Sequence, residues 1–284
     1  MVSKYLNFLP EYVLPKIAIS PFFKRVTRFM NLHFSPRKDI MVNVGGKKMY
    51  ASTLDRLFVL YLWKFSIMEN FETKLIKEIV KMGMTVFDIG ANIGYYTLVL
   101  AEKVGKTGKV YAFEPDNENY RLLVKNIKAS SFNNVVAVKK AISDKIGKTK
   151  LFISEEHRGD HRLYDPRDKR KAVDVETISL DKFAQNKIKP DIIKMDIEGA
   201  EFRAILGMEN LIKKKKDLAI ICEFNPKCLK QAGIAPEKLL KKFQSYGFKI
   251  KYIDEKKQKV EEISILSLMK KCSGVKYVNL FLKR

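Results

Sequence analysis

The stretch VFDIGANIGYYTLVLA, Val86–Ala101, constrains this chain more than any other. A β-type apolar run ends at Asp88, glycines follow at positions 90 and 94, and the pattern then turns helical. Thr85–Ile89 reads as the strand and Gly94–Val104 as the helix. That order opens a parallel α/β unit, whose ligands bind outside the carboxyl ends of the strands.

The alternation continues. Lys109–Glu114 reads as a strand, Asn117–Ser130 as a helix with Leu122, Leu123 and Ile127 on one face, and Asn134–Val138 as a third strand. Two buried strands, Asp191–Asp196 and Leu218–Phe224, are separated by one helix over Ala200–Leu211. A helix over Pro236–Tyr246 and strands near Lys249–Ile253 and Lys276–Leu282 complete the set. The pattern predicts an α/β, doubly wound, mostly parallel sheet in residues 76–284. Thr149–Ile153 and Val173–Ile178 bracket the polar stretch EEHRGDHRLYDPRDKR. A long charged loop over about 154–172 is therefore expected at the ligand end. Residues 1–75 read as an α/β extension: a basic, aromatic segment, a strand pair around Ile40–Tyr50 turning at Gly45 and Gly46, and the start of a lead-in helix, Phe71–Lys81.

The loop between strand and helix narrows the ligand. A dinucleotide fingerprint needs a second glycine where this chain has Asn92, so that the backbone can approach a pyrophosphate. No GK[ST] follows, which excludes a P-loop. The loop suits a nucleoside ligand without phosphates. Glu114 closes the next strand and is placed to accept hydrogen bonds from both ribose hydroxyls. S-adenosylmethionine fits these demands. Asp88 is expected to meet its ammonium group, and the N–H groups near Asn92–Gly94 its carboxylate.

A second constellation, DIIKMDIEGAEFRAILG, delivers Asp196 and Glu198 at the end of another buried strand. Their spacing puts both on one side of an extended chain. Gly199 opens a helix with Glu201 in its first turn, where an acid stabilises the positive helix end. Glu223, in ICEFNP, is a third acid at a strand end, and Cys222 beside it reads as core.

The motifs VFDIGANIGYYTL, VYAFEPDNENYRLLVKNI, VETISLDKF and DIIKMDIEGAEFRAILG, with ICEFNP and the lead-in MENFETKLIKEIVKMGM, together resemble the FkbM-type S-adenosylmethionine-dependent methyltransferases. The resemblance runs from about Val44 to the C-terminus. It implies a Rossmann-like, seven-stranded methyltransferase sheet and methyl transfer to a hydroxyl of a sugar, glycolipid or other small acceptor. The cofactor-binding set it implies is Glu69, Asp88, Gly90, Ala91, Asn92, Gly94, Glu114, Pro115, Ala141 and Asp196, with Glu72 also in the lead-in. Asp196 matches the acid beside the reactive methyl. It is the first choice for orienting or deprotonating the acceptor, with Glu198 and Glu223 assisting or joining it around a divalent cation such as Mg²⁺. His161, in company with Arg158, Asp160, Arg162 and Tyr164, is the alternative base. Histidine and cysteine spacing supports no soft-metal site.

The formal net charge is +23. Residues 211–284 carry 19 Lys+Arg against 7 Asp+Glu, about half of the excess. Anionic partners follow from that charge. A glycan or small-molecule acceptor leads, an anionic membrane surface is an additional candidate, and nucleic acid ranks lower. An RNA-directed methyltransferase is the nearest rival, though no PPY-like tetrapeptide and no RNA-binding module is evident; a non-enzymatic basic scaffold is the other. Three cysteines without a CxxC pair indicate a reducing compartment. No apolar run reaches membrane-span length and no secretory signal is legible, so the expected location is cytoplasmic, with peripheral membrane contact as a variant.

Overall fold

The computed structural model describes residues 39–44, 46–52, 71–155, 157–185, 187–273 and 277–284. The basic, aromatic N-terminal segment and Glu69 lie outside the described residues. The first elements are an antiparallel hairpin, β1 (Asp39–Val44) and β2 (Lys47–Ser52), and the helix α1 (Phe71–Ile79). Then come β3 (Thr85–Ile89), α2 (Tyr95–Val104), β4 (Lys109–Phe113), α3 (Asn117–Ala129) and β5 (Val135–Val138). A small sheet is formed by β6 (Ala141–Ile142), β7 (Gly147–Phe152) and β8 (Ala172–Ile178), in the order β6-β8-β7. The chain returns through α4 (Leu180–Ala184), β9 (Ile192–Met195), α5 (Glu201–Leu206), α6 (Glu209–Lys214) and β10 (Ala219–Phe224). It ends with α7 (Pro226–Gln231), α8 (Pro236–Ser245), β11 (Lys249–Asp254), β12 (Lys259–Glu262), α9 (Ile265–Cys272) and β13 (Val278–Lys283).

The main sheet has the order β12-β11-β13-β10-β9-β3-β4-β5. Five strands, β5, β4, β3, β9 and β10, are parallel, and β13 runs antiparallel between β10 and β11. Seven of these strands form the predicted Rossmann-like sheet. The eighth, β12, is added at the edge by the turn after Asp254, whose carboxylate accepts from the N–H groups of Lys256 and Lys257.

Alternation along β3 builds both faces. Phe87 and Ile89 enter one core, with Met195, Ile205, Leu240 and Phe243. Val86 enters the other, with Leu98, Leu100, Leu122 and the hairpin residues Val42, Val44 and Met49. From β3 the chain winds outward through β4 and β5, then crosses back to lay β9 on the other side of β3. The strand order reverses between β3 and β9, where Ile89 pairs with Met195. The crevice at that reversal is where such sheets bind ligands.

One predicted helix is divided in two. The helix predicted over Ala200–Leu211 is two helices, α5 and α6, broken at Gly207 and Met208. A Cβ on Gly207 would stand 2.1 Å from the carbonyl oxygen of Ser143, so the chain turns where it packs on the small sheet. The Asp181 carboxylate then caps α6, accepting from the N–H groups of Asn210 (3.0 Å) and Leu211 (2.8 Å).

Candidate functional site

The two glycines of the first loop are required by the protein itself. Gly90 has φ +83°, and a Cβ there would stand 2.0 Å from the carbonyl oxygen of Asp196. Gly94 has φ +100°, and its Cβ would press on Leu123 of α3 at 2.8 Å. Asn92 adopts a left-handed conformation at φ 51°, which asparagine tolerates.

The expected backbone cradle for a carboxylate is already engaged. Asn92 N–H donates to Glu114 Oε2 (2.8 Å), Ile93 N–H to Asn92 Oδ1 (2.6 Å), and Gly94 N–H to the Ala91 carbonyl (2.9 Å). Glu114, which takes the first of these, closes inward on this loop and also accepts from Asp116 N–H at 2.9 Å. Burial pushes its carboxyl up to about 8 despite those two bonds.

Gly90, Asn92, Glu114, Pro115, Ala141, His161, Asp196 and Glu198 all line one crevice. Phe113, Ile142, Leu151, Leu163 and Ile197 give it apolar walls. Ala91, 5% exposed, donates its N–H to the Phe113 carbonyl and secures the turn. Asp88 lies beneath the crevice rather than on its wall. Its Oδ2 accepts from the Thr97 hydroxyl on α2 (2.6 Å), and its buried Oδ1 has no hydrogen-bond partner. The side chain expected from the sequence to meet a ligand ammonium is 1% exposed and lies outside the crevice lining.

The residue that organises the acids was missed from the sequence. Lys194, 4% exposed, carries its ammonium among the carboxylates of Asp88, Glu72 and Asp196. Its Nζ is 3.4 Å from Asp196 Oδ2 and 4.3 Å from the centre of the Tyr96 ring. Burial disfavours the charged lysine, but the three carboxylates outweigh burial and hold its pKa above the ordinary value. The signal was available: a lysine inside DIIKMD, an otherwise apolar strand, needs buried partners. Glu72 accepts from the Asn279 side chain, and burial lifts its carboxyl to about 7.

Asp196, Glu198 and Glu223 come together at the ends of β9 and β10, each offering an oxygen within 4.8 Å of the others. Asp196 is the open member, its side chain 40% exposed. Glu198, at φ 49°, accepts from the Cys228 thiol at 3.3 Å. Burial and the neighbouring Asp196 raise the Glu198 carboxyl to about 8 and the Glu223 carboxyl well above its usual range. Glu201 accepts from the N–H groups of Gly199 (3.1 Å) and Ile197 (3.3 Å), so it braces the loop that carries Glu198.

The charged insert forms a strap over the crevice. Arg158 Nη2 reaches Asp116 Oδ1 at 2.6 Å, and Asn119 Nδ2 donates to the Arg158 carbonyl at 3.0 Å. Asp160 pairs with both Arg162 and Arg170, and Arg162 also reaches Gln231 on α7. His161 Nδ1 accepts from Ser154 N–H (3.0 Å), while its Nε2 stands 3.8 Å from Asp116 Oδ1. Nδ1 is thus engaged, while the buried Nε2 makes no hydrogen bond. Burial alone would raise the Asp116 carboxyl; His161 and Arg158 reverse that and hold it below its usual value. Under the strap the cavity is about 60 Å³, well below the roughly 300–1,000 Å³ of small-molecule sites.

A parallel sheet of this order, with an acid closing the second strand and carboxylates across its switch point, is the frame of the Rossmann-like methyltransferases. The model of the methyltransferase FkbM domain matches residues 88–250. The chain belongs to that family and is an S-adenosylmethionine-dependent methyltransferase of FkbM type. It is similar to the hexuronic acid methyltransferase AglP of Haloferax volcanii, 24% identical over 182 residues covering 62% of this chain and 71% of that protein. A shorter match, 39% over 56 residues, covers 20% of this chain and 28% of a protein-L-isoaspartate O-methyltransferase of Methanococcoides burtonii. The solved structure of a methyltransferase FkbM from Methylobacillus flagellatus KT aligns over 91% of this chain and 58% of that one, at 13% identity and a TM-score of 0.44. Among the described residues, no helix is long and apolar enough to cross a membrane.

Proposed function

We propose that this enzyme transfers the methyl group of S-adenosylmethionine to a hydroxyl of a sugar or sugar-bearing small acceptor. The carrying observation is Asp196: an open carboxylate held by a buried lysine, lining the same crevice as Glu114. S-adenosylmethionine supplies an electrophilic methyl that leaves its sulfur in line with the attacking oxygen. Glu114 would hold the ribose hydroxyls, and Phe113, Ile142, Leu151 and Leu163 would flank the base. Asp196 orients the acceptor hydroxyl and takes its proton as the C–O bond forms. The strap lifts to admit the donor and then excludes water. The similarity to AglP supports a sugar acceptor, and the basic surface favours an anionic one.

The test is incubation with methyl-labelled S-adenosylmethionine and three acceptors: a neutral hexoside, a hexuronoside and total RNA. Label in a hexoside or hexuronoside, stable to mild base as an ether, is expected. Label in RNA alone would replace this reading with an RNA-directed one.

A further inference from the structure

We infer that Asp196, Glu198 and Glu223 form a binding site for one hard divalent cation, Mg²⁺ or Mn²⁺, beside the donor crevice. Adjacent parallel strands lie about 4.8 Å apart. The register that pairs Met195 with Cys222 therefore sets Asp196 and Glu223 side by side. The left-handed turn at Glu198 brings the third carboxylate back toward them, and all three offer oxygens within 4.8 Å.

A second observation points to a ligand. Glu223 is only 8% exposed, and its buried Oε1 has no hydrogen-bond partner. A buried carboxyl oxygen without a partner is costly. Among the described residues, the ion pair made to the trio is that of Lys194 with Asp196, and Glu198 and Glu223 form none. Lys194 is also shared with Asp88 and Glu72, so its single charge does not neutralise the group.

The donors are oxygens, which select a hard cation over zinc or copper. Cys228 stands outside the trio, its thiol donating to Glu198. Three carboxylates fill about half of an octahedral shell. Asp196 and Glu198 also line the crevice, so a cation held by the trio would lie at its wall. A cation there would bind the acceptor oxygen and lower its pKa, a role that rests on the methyl-transfer reading; the binding itself does not. It would also let an anionic acceptor approach a wall of acids.

The experiment is a titration of Mn²⁺ into the full chain, followed by the electron paramagnetic resonance signal of free Mn²⁺, with S-adenosylmethionine affinity measured separately by calorimetry. One site per chain is expected, weakened at least about tenfold in Glu223→Gln and in Glu198→Gln, with donor affinity retained. Two variants are used so that loss of fold in one leaves the other to report. No Mn²⁺ binding up to about 1 mM, or equal binding by both folded variants, overturns the site. Failure of S-adenosylmethionine to bind would instead remove the methyl-transfer reading and leave the Mn²⁺ result standing.

Discussion

A single methyl group at Gly90 is enough to part the two strand ends that make the crevice. The Cβ of an alanine would stand 2.0 Å from the Asp196 carbonyl, on a backbone at φ +83°. Gly90→Ala is expected to cost on the order of 3 kcal/mol in stability and to abolish donor binding, read by thermal denaturation and calorimetry. Asp196→Asn keeps the shape and removes the proton acceptor. Donor affinity is retained while labelled methyl transfer falls by about 10²–10⁴-fold, and unchanged turnover would take Asp196 out of the chemistry. Glu114 gives a pH signature. Its carboxyl stands near 8 in the fold against an ordinary 4.5. The fold therefore retains a proton that the unfolded chain gives up between those values, and stability falls as pH rises through that window. Wild type should lose more thermal stability than Glu114→Gln between pH 5 and pH 8.5; parallel curves would contradict the buried, protonated carboxyl.

At the scale of elements, the Asp181 cap and the strap each carry a prediction. Asp181→Ala leaves two N–H groups at the start of α6 without their acceptor, costing about 1 kcal/mol. The melting temperature should drop by roughly 2–4 °C. Arg158→Ala together with Asn119→Ala removes both ties between strap and α3, so donor release, followed by stopped-flow fluorescence, should quicken; an unchanged rate would mean that the strap does not gate the crevice. The strands and the crevice were legible in the sequence because their cause is local: apolar runs of strand length, a turn of two glycines, acids at strand ends. The break at Gly207 was not legible, because it depends on the Ser143 carbonyl, just past a strand of a separate sheet. The same holds for the Asn92 N–H, taken up by Glu114 at the end of the next strand, and for His161 Nδ1, which accepts from the Ser154 N–H. Residue type and spacing named those positions correctly as neighbours of the crevice, but not which hydrogen bonds they had already made.

Across the whole molecule, the +23 charge and the acidic trio act at different ranges. The outer field draws anions in and is screened over about 8 Å at physiological salt. The KM of a hexuronoside should therefore rise with ionic strength while that of a neutral hexoside stays level; equal salt dependence would show that surface charge has no part in acceptor capture. One amide also links the front of the chain to the crevice. Asn126 on α3 accepts from Tyr50 N–H at 2.6 Å, and donates to the Tyr50 carbonyl at 3.0 Å and the Ile93 carbonyl at 2.8 Å. Its side chain is completely buried, so every one of those bonds is made away from water. The hairpin is thus a guy rope on the glycine turn: through Asn126, the placement of the leading strands and the placement of Ile93 are fixed together.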